Sequence, residues 1–193
     1  MANCNKHIKM FLITLYICYY VYKYITYTIV RKIMAKDISL IDDGYKLNYR
    51  AAVILTYKGK VLLHKANVDF WNMPGGRVKF GEDSKSAIIR EMQEELGIEL
   101  KCPKLIAYCE NFFNFANVDY HEILTVYKQE LSDDERILNM QDFKALDNPK
   151  TCYHWFDKKD VKNEYCLPNI IYKLFDQDGD KIIHSITVNN QEV

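Results

Sequence analysis

Three glutamates spaced about one helical turn apart are the residues in this sequence whose types and positions best suit chemistry. Glu91, Glu94 and Glu95 stand at positions i, i+3 and i+4, so a helix through them would gather three carboxylates on one face. Like charges held that close raise one another's pKa unless a cation lies among them. Oxygen ligands suit Mg²⁺ or Mn²⁺ better than zinc. The spacing therefore predicts a divalent metal site formed by Glu91, Glu94 and Glu95.

The helix that must position these acids is predicted over residues 84–96. Asp83 or Ser84 can cap its first turn, and Gly97 supplies the left-handed backbone conformation that commonly ends a helix. Arg90 lies one turn before Glu94 and can pair with it or with Glu82, which would fix the rotamer of a carboxylate. The face that holds this helix against a core is predicted to consist of Ile88, Ile89, Met92 and Leu96.

These residues belong to a longer pattern. It reads G-x5-E-x7-R-E-U-x-E-E-x-G-U, where U is a bulky apolar residue, and it runs from Gly76 through Glu82 to Ile98. A run of glutamates alone is typical of a solvated surface helix. The full pattern, preceded by the Pro74-Gly75-Gly76 loop, resembles the Nudix box at every position, and the chain is therefore identified as a member of the Nudix hydrolase family.

The resemblance implies an α/β/α sandwich, in which a central mixed sheet is flanked by the box helix and a C-terminal helix. It also implies hydrolysis of a nucleoside diphosphate linked to another group. Glu91, Glu94 and Glu95 look like its metal ligands, with the carbonyl of Gly75 or Gly76 as a further ligand. Arg90 and Glu82 look like the orienting pair. Glu94 or Glu91 is expected to act as the general base, and Arg90 is placed with them in the catalytic set.

Four aromatic residues are candidates for substrate binding. Trp71 precedes the box, where it either stacks on a nucleobase or packs in the core. Residues 111–117 are predicted to form an aromatic loop, whose rings either pack under the loop or contact a flat ligand. The sequence markers of Nudix members that cleave ADP-ribose or dinucleoside polyphosphates are missing, which leaves a nucleoside triphosphate or a nucleotide sugar open. The candidates in the aromatic loop are Phe112, Phe113 and Phe115.

Glu122 is a further candidate outside the box. It lies in a strand predicted over residues 119–130, on the same face as Leu124 and Val126. It is expected to be either a solvated charge, or an additional metal ligand or base that reaches the site from the sheet.

The rest of the chain supports a single α/β domain over residues 34–193. Residues 51–55 and 61–63 are predicted to form a hairpin around Lys58-Gly59, and residues 99–110 to form a strand. A loop with one irregular helical turn is expected over residues 132–147, a short strand over residues 153–156, a C-terminal helix from Leu167, and a last strand over residues 182–188.

The charge distribution indicates the class of ligand. Five of the 26 Lys and Arg residues and none of the 26 Asp and Glu residues lie in residues 1–33, so residues 34–193 have a net charge of −5. An acidic domain is unsuited to duplex nucleic acid but compatible with a small nucleotide bound through a metal. Six scattered cysteines without a C-x-x-C pair are typical of a reduced, cytoplasmic protein. Homodimerisation is left open.

The apolar, tyrosine-rich residues 8–30 permit three interpretations. They form a membrane anchor interrupted by Lys23, a start-site extension ahead of a true start at Met34, or an amphipathic arm that binds a partner. Membrane association is expected only if this arm is translated.

Overall fold

The computed structural model describes residues 14, 16–23, 35–133, 135–177 and 179–193. Two units follow one another along the chain, Met1–Lys36 and Asp37–Val193. In the first unit, residues 16–23 are helical and exposed. The start-site and membrane-anchor interpretations concern residues 8–30, most of which lie outside the described residues. No helix among the described residues is long and apolar enough to span a bilayer.

The second unit is built on one mixed sheet of ten strands in the described part of the chain. Its centre is the long strand β2, which pairs in parallel with β6 over twelve residue pairs and antiparallel with β3 and β4 at its other edge. The strands run in the order β10-β9-β5-β6-β2-β3-β8-β7, with β1 and β4 also paired to β2. The strands are β1 (Ser39–Asp42), β2 (Tyr45–Tyr57), β3 (Lys60–Ala66), β4 (Gly75–Arg77), β5 (Lys104–Phe115), β6 (Val118–Glu130), β7 (Asp142–Lys144), β8 (Thr151–Asp157), β9 (Ile183–Val188) and β10 (Gln191–Glu192).

The side chains of β2 point alternately into two hydrophobic cores on opposite faces of the sheet. Ala51, Val53 and Leu55 belong to the core that helix α1 (Ser84–Leu96) covers. Ala52 and Ile54 belong to the opposite core, which includes the short helix α2 (Ile171–Leu174). A strand buried on both faces reads as a continuous apolar run, as residues 51–55 do. This arrangement confirms the predicted sandwich of helices around a mixed sheet.

The predicted hairpin between β2 and β3 is present. Tyr57 pairs with Lys60, and the two residues between them, Lys58 and Gly59, have φ of 45° and 78°. Two positive φ values identify the type of turn that matches the twist of a hairpin.

The prediction of an aromatic loop over residues 111–117 is wrong. Strand β5 continues to Phe115 and joins β6 through the turn residues Ala116 and Asn117, which have φ of 52° and 61°. Pairing with β6 satisfies the backbone hydrogen bonds of the whole aromatic stretch, so no loop is needed. The predicted strand over residues 99–110 is accordingly displaced, because β5 begins only after Pro103.

Two further elements differ from prediction. Residues 132–147 contain the predicted helical turn, as the 3₁₀ turn Arg136–Asn139, but also the edge strand β7, which pairs with β8 and was not predicted. The C-terminal helix is reduced to the single turn α2. Both are short elements that packing against the sheet stabilises more than their own sequence does.

Candidate active site

Helix α1 forms because its sequence supplies both ends and a buried face. The side chain of Asp83 accepts a hydrogen bond from the Ser86 backbone N–H at 2.9 Å, and Gly97 ends the helix with φ of 67°. The face fixed to the core is mostly the predicted one, with Ile89 half-buried and Ala87 added. Its fully buried members are Ala87, Ile88, Met92 and Leu96.

Arg90 is the centre of an ion-pair cluster in the middle of this helix. Its Nε and one terminal nitrogen donate to the two oxygens of Glu82 at 3.1 and 2.6 Å, and the same terminal nitrogen reaches the Arg77 carbonyl at 3.1 Å. The other terminal nitrogen lies 2.5 Å from Glu91 and 3.0 Å from Glu94. Burial opposes ionisation of Glu82, but the hydrogen bonds from Arg90 and the Lys79 backbone N–H, together with the charges of both residues, outweigh it and lower the pKa of Glu82. One guanidinium therefore holds three carboxylates in place.

The glycine loop before the helix makes room for Glu91. A Cβ on Gly76 would lie 2.3 to 2.6 Å from atoms of the Glu91 carboxylate group, so only glycine permits this approach. Gly75 has φ of 144°, and a Cβ there would lie 2.2 Å from the carbonyl oxygen of Ala51. The loop is thus shaped both toward α1 and toward β2.

Glu95 lies deeper than the other two acids of the helix. Burial, together with the charges of Glu91 and Asp147, raises the pKa of Glu95 to about 7, against the opposing hydrogen bond that the hydroxyl of Tyr153 donates to it. Burial likewise raises the pKa of Glu91, although Arg90 partly compensates. The ionised forms of both acids are therefore disfavoured where they stand.

The acids of α1 have the donor chemistry for a dication, although they are held by protein partners. In the part of the chain that the structure describes, no three His, Cys, Asp or Glu side chains are arranged to hold a metal ion. Arg90 engages Glu91 and Glu94, and Tyr153 engages Glu95. All three nevertheless present carboxylate oxygens, and a dication would remove the electrostatic penalty that raises the pKa of Glu91 and Glu95. The residues present fit Mg²⁺ or Mn²⁺.

Glu122 does not join the α1 acids. It lies on the opposite face of the sheet, with Leu124 and Val126, and only 5% of it is exposed. Its two oxygens accept hydrogen bonds from the side-chain amides of Asn48 and Asn111 at 3.1 and 3.2 Å. A ligand or base at the α1 site would need oxygens free to face that site.

The aromatic candidates are split between two places. Trp71 donates from Nε1 to Glu164 at 3.1 Å and packs edge-on against Phe156 of β8, with its ring centroid 4.9 Å away. Phe112 and Phe113 stack on cross-strand neighbours in β6 and line a cavity of about 560 Å³ at the β5–β6 end of the sheet. Phe115 is 49% exposed near the hairpin tip. Trp71 and the phenylalanines therefore do not form one wall.

Comparison with known proteins decides the family. The NUDIX domain family matches residues 46–177, which is more than half of the chain. The chain belongs to the Nudix family. This Nudix protein is 34% identical over 81 residues to an RNA pyrophosphohydrolase of Ruthia magnifica subsp. Calyptogena magnifica, a match covering 42% of the chain and 45% of that protein. It is 29% identical over 97 residues to an 8-oxo-dGTP diphosphatase of Proteus vulgaris, covering 47% and 87% respectively. The match thus spans less than half the length of the RNA pyrophosphohydrolase.

Solved structures show the same fold. A MutT protein from Bacillus halodurans superimposes with a TM-score of 0.58 at 19% identity, over 76% of this chain and 94% of that one. A Nudix hydrolase from Nitrosomonas europaea gives a TM-score of 0.51 at 16% identity, over 73% and 78%.

Three residues that the sequence analysis missed belong to the surroundings of the site. Tyr153 donates to Glu95, the charge of Asp147 raises the pKa of Glu95, and the charge of Arg50 lowers it. None stands in the box, and each comes from a different part of the chain. Strand alternation could have placed Tyr153 on the same face as Trp155, but only pairing between strands brings it to α1.

Proposed function

We propose that this Nudix protein is a divalent-metal-dependent hydrolase that cleaves a phosphoric anhydride bond of a nucleotide. The proposal rests on the arrangement of the acids on α1. Arg90 contacts both Glu91 and Glu94, the Glu91 carboxylate lies against Gly76, and Glu95 follows one turn beyond Glu91. Glu91, Glu94 and Glu95 are the proposed ligands of Mg²⁺ or Mn²⁺, with the Gly75 or Gly76 carbonyl beside them. When bound, the ion would neutralise phosphate charge and make a water molecule more acidic.

The protein's own residues have defined roles in the proposed reaction. A water oxygen forms a bond to phosphorus, the bridging P–O bond breaks, and its electron pair leaves with the departing phosphate oxygen. A carboxylate accepts the water's proton, and we assign this role to Glu94 or Glu91. Glu94 is the more accessible of the two, with 46% of its side chain exposed against 13% for Glu91. Arg90 and Glu82 orient the acids.

The substrate class we propose is a nucleoside 5′-triphosphate, free or at the end of a single RNA strand. Support comes from the similar proteins, whose names are RNA pyrophosphohydrolase and 8-oxo-dGTP diphosphatase. A nucleotide sugar is the second candidate within the same chemistry. The net charge of −5 over residues 34–193 disfavours duplex nucleic acid. The cytoplasmic location and a homodimer remain predictions.

A substrate panel tests the proposal. It contains 5′-triphosphorylated RNA, 8-oxo-dGTP, the common nucleoside triphosphates and nucleotide sugars, each with Mg²⁺, Mn²⁺ or EDTA. We expect turnover that EDTA abolishes and that Glu94→Gln lowers by orders of magnitude, while Glu99→Gln, the same change just beyond the helix, has no effect. Unchanged turnover in Glu94→Gln would falsify the assignment of that residue. Tight nucleotide binding in EDTA with no product from any substrate would instead indicate a nucleotide-sensing module.

A further inference from the structure

A row of buried polar side chains crosses four strands of the sheet on the face opposite α1. Asn48 of β2, Glu122 of β6, Asn111 of β5 and Thr187 of β9 are cross-strand neighbours in register. Each is at most 5% exposed. The neighbouring row toward the core consists of Arg50, Leu124, Cys109 and Ser185, so Arg50 lies on the same face of the sheet as Glu122, one row away.

The hydrogen bonds of this row place a negative charge at its centre. Asn48 and Asn111 each donate a side-chain amide N–H to a different oxygen of Glu122, and the Thr187 hydroxyl donates to Oδ1 of the Asn111 side chain at 2.8 Å. At the other end, Arg77 donates from Nε to Oδ1 of the Asn48 side chain at 2.9 Å. An ionised carboxylate accepts on both oxygens and so completes the row.

A buried carboxylate requires a cation, and among the described residues the one within ion-pair distance is Arg50. One terminal nitrogen of Arg50 lies 3.8 Å from Glu122, and the other reaches the Gly75 carbonyl at 3.5 Å. Glu122 therefore holds Arg50 at the glycine loop, in which Gly76 lies against the Glu91 carboxylate.

Protein groups contact the guanidinium of Arg50 less closely than that of Arg90. All three nitrogens of Arg90 donate to protein groups within 3.1 Å. The two side chains are equally exposed, at 19%, but the two described side-chain contacts of Arg50 are long, at 3.8 and 3.5 Å. A guanidinium has five N–H donors in a planar fork that suits phosphate oxygens. The positive charge of Arg50 also lowers the pKa of Glu95 and of His64, as expected of a group close to the α1 acids.

We propose that Arg50 binds a phosphate oxygen of the anionic substrate directly, and that Glu122, Asn48 and Asn111 are positioning residues that hold Arg50 for this contact. The inference rests on the proposed function, because it assigns one phosphate contact of the same site. It gives Glu122 a role without contact to metal or substrate.

The test compares Glu122→Gln, Arg50→Gln and the double variant on the best nucleoside triphosphate of the panel. In Glu122→Gln the new amide N–H can donate to Asn111, provided that the Asn111 side-chain amide rotates to present its oxygen. The Asn111 N–H then donates to the Thr187 hydroxyl, which can accept as well as donate. Glu122→Gln therefore removes the charge with little loss of hydrogen bonding. We expect each single change to raise KM about 10-fold or more with kcat changed less than about threefold, since a contact made equally in ground and transition states affects KM.

Coupling separates positioning from a purely structural role. Because Glu122 acts through Arg50, the double variant should have the KM of Arg50→Gln alone. Arg50→Lys, which retains the charge but not the fork, should recover KM only in part. Tyr172→Phe, which removes a hydrogen bond to the Glu164 backbone carbonyl in the same core but outside the row, should lower Tm and leave KM unchanged. Multiplying effects in the double variant, or a wild-type KM in Arg50→Gln or Arg50→Lys, would overturn the inference even if Glu122→Gln failed to fold.

A binding measurement keeps this outcome distinct from failure of the proposed function. Calorimetric titration of GDP in EDTA reports anion binding without turnover. Loss of affinity in Arg50→Gln with an inactive wild-type protein would retain the Arg50 site and reject the hydrolase. Absence of GDP binding by a wild-type protein that is also inactive would reject both.

Discussion

The Cα of Gly76 lies directly against the carboxylate of Glu91, so closely that a Cβ on Gly76 would come within 2.3 to 2.6 Å of that group. Glycine at position 76 and glutamate at position 91 are therefore one geometrical unit, although fifteen positions separate them in the sequence.

Gly76→Ala should damage activity more than stability. The obstructing atoms belong to the end of a flexible side chain, so Glu91 can move aside while the backbone stays in place. A displacement of about 1 Å can cost about 100-fold in rate, and we expect a fall in kcat of that order. Steady-state kinetics and thermal denaturation measure the two effects separately.

Gly75→Ala is the matched control, and it should reverse the pattern. Its Cβ would meet the backbone of Ala51 at 2.2 Å, and the φ of 144° is unsuited to a side chain. We expect a loss of about 3 kcal/mol or more in the free energy of unfolding. Equal stability of the two variants would contradict this account of the loop.

Arg90→Lys should lower kcat by about 10- to 100-fold with little change in Tm. Lysine keeps the charge but cannot contact Glu82 through two nitrogens while also reaching Glu91 and Glu94. Arg136→Lys is a suitable control, because Arg136 also contacts α1 but donates to the Leu96 carbonyl at the other end. If both variants lose kcat equally, the effect belongs to the helix and not to the acids.

Tyr153→Phe should lower kcat by about tenfold, because the Tyr153 hydroxyl is the side-chain donor that orients Glu95. The ring itself is retained in the core, where it stacks on Phe143 at 5.4 Å. Tyr127→Phe removes a comparable hydroxyl, which contacts Ser84 at the start of α1 at 2.8 Å, and should leave kcat unchanged. A wild-type rate in Tyr153→Phe would show that Glu95 needs no such support.

His64 predicts a specific loss of stability in acid. Burial, reinforced by the charge of Arg50, lowers the pKa of His64 in the folded protein to about 3. In the unfolded chain the pKa is about 6.5. Between these values only the unfolded chain takes up the proton, so the stability present above pH 6.5 is lost as the pH falls toward 3. The slope is about 1.4 kcal/mol per pH unit, or about 2 kcal/mol at pH 5.0.

Urea denaturation of the wild type and His64→Leu at pH 7.5 and 5.0, both in EDTA, measures this contribution. We expect the wild type to lose about 2 kcal/mol more than the variant between the two pH values. Parallel losses would mean that His64 is charged or solvated in the folded protein.

Helix α1 could be predicted from local sequence alone, because its caps and its buried face are all specified by residues within or next to it. Asp83 caps it, Gly97 ends it, and the spacing of Ile88, Met92 and Leu96 fixes which face is buried. With that face fixed, the acids must project together on another. The β2–β3 hairpin was predictable for the same reason, since Lys58-Gly59 selects the turn.

The surroundings of that helix, by contrast, depend on contacts between distant parts of the chain. Whether residues 111–117 were loop or strand depended on a partner strand, and pairing with β6 settled it. Glu122 is buried with a hydrogen-bond partner because Asn48 pairs with it from 74 positions away, across a parallel ladder that no local pattern specifies. Tyr153 reaches Glu95 by the same kind of distant pairing. Local spacing sets which face a side chain is on, whereas contacts between distant strands determine what that face meets.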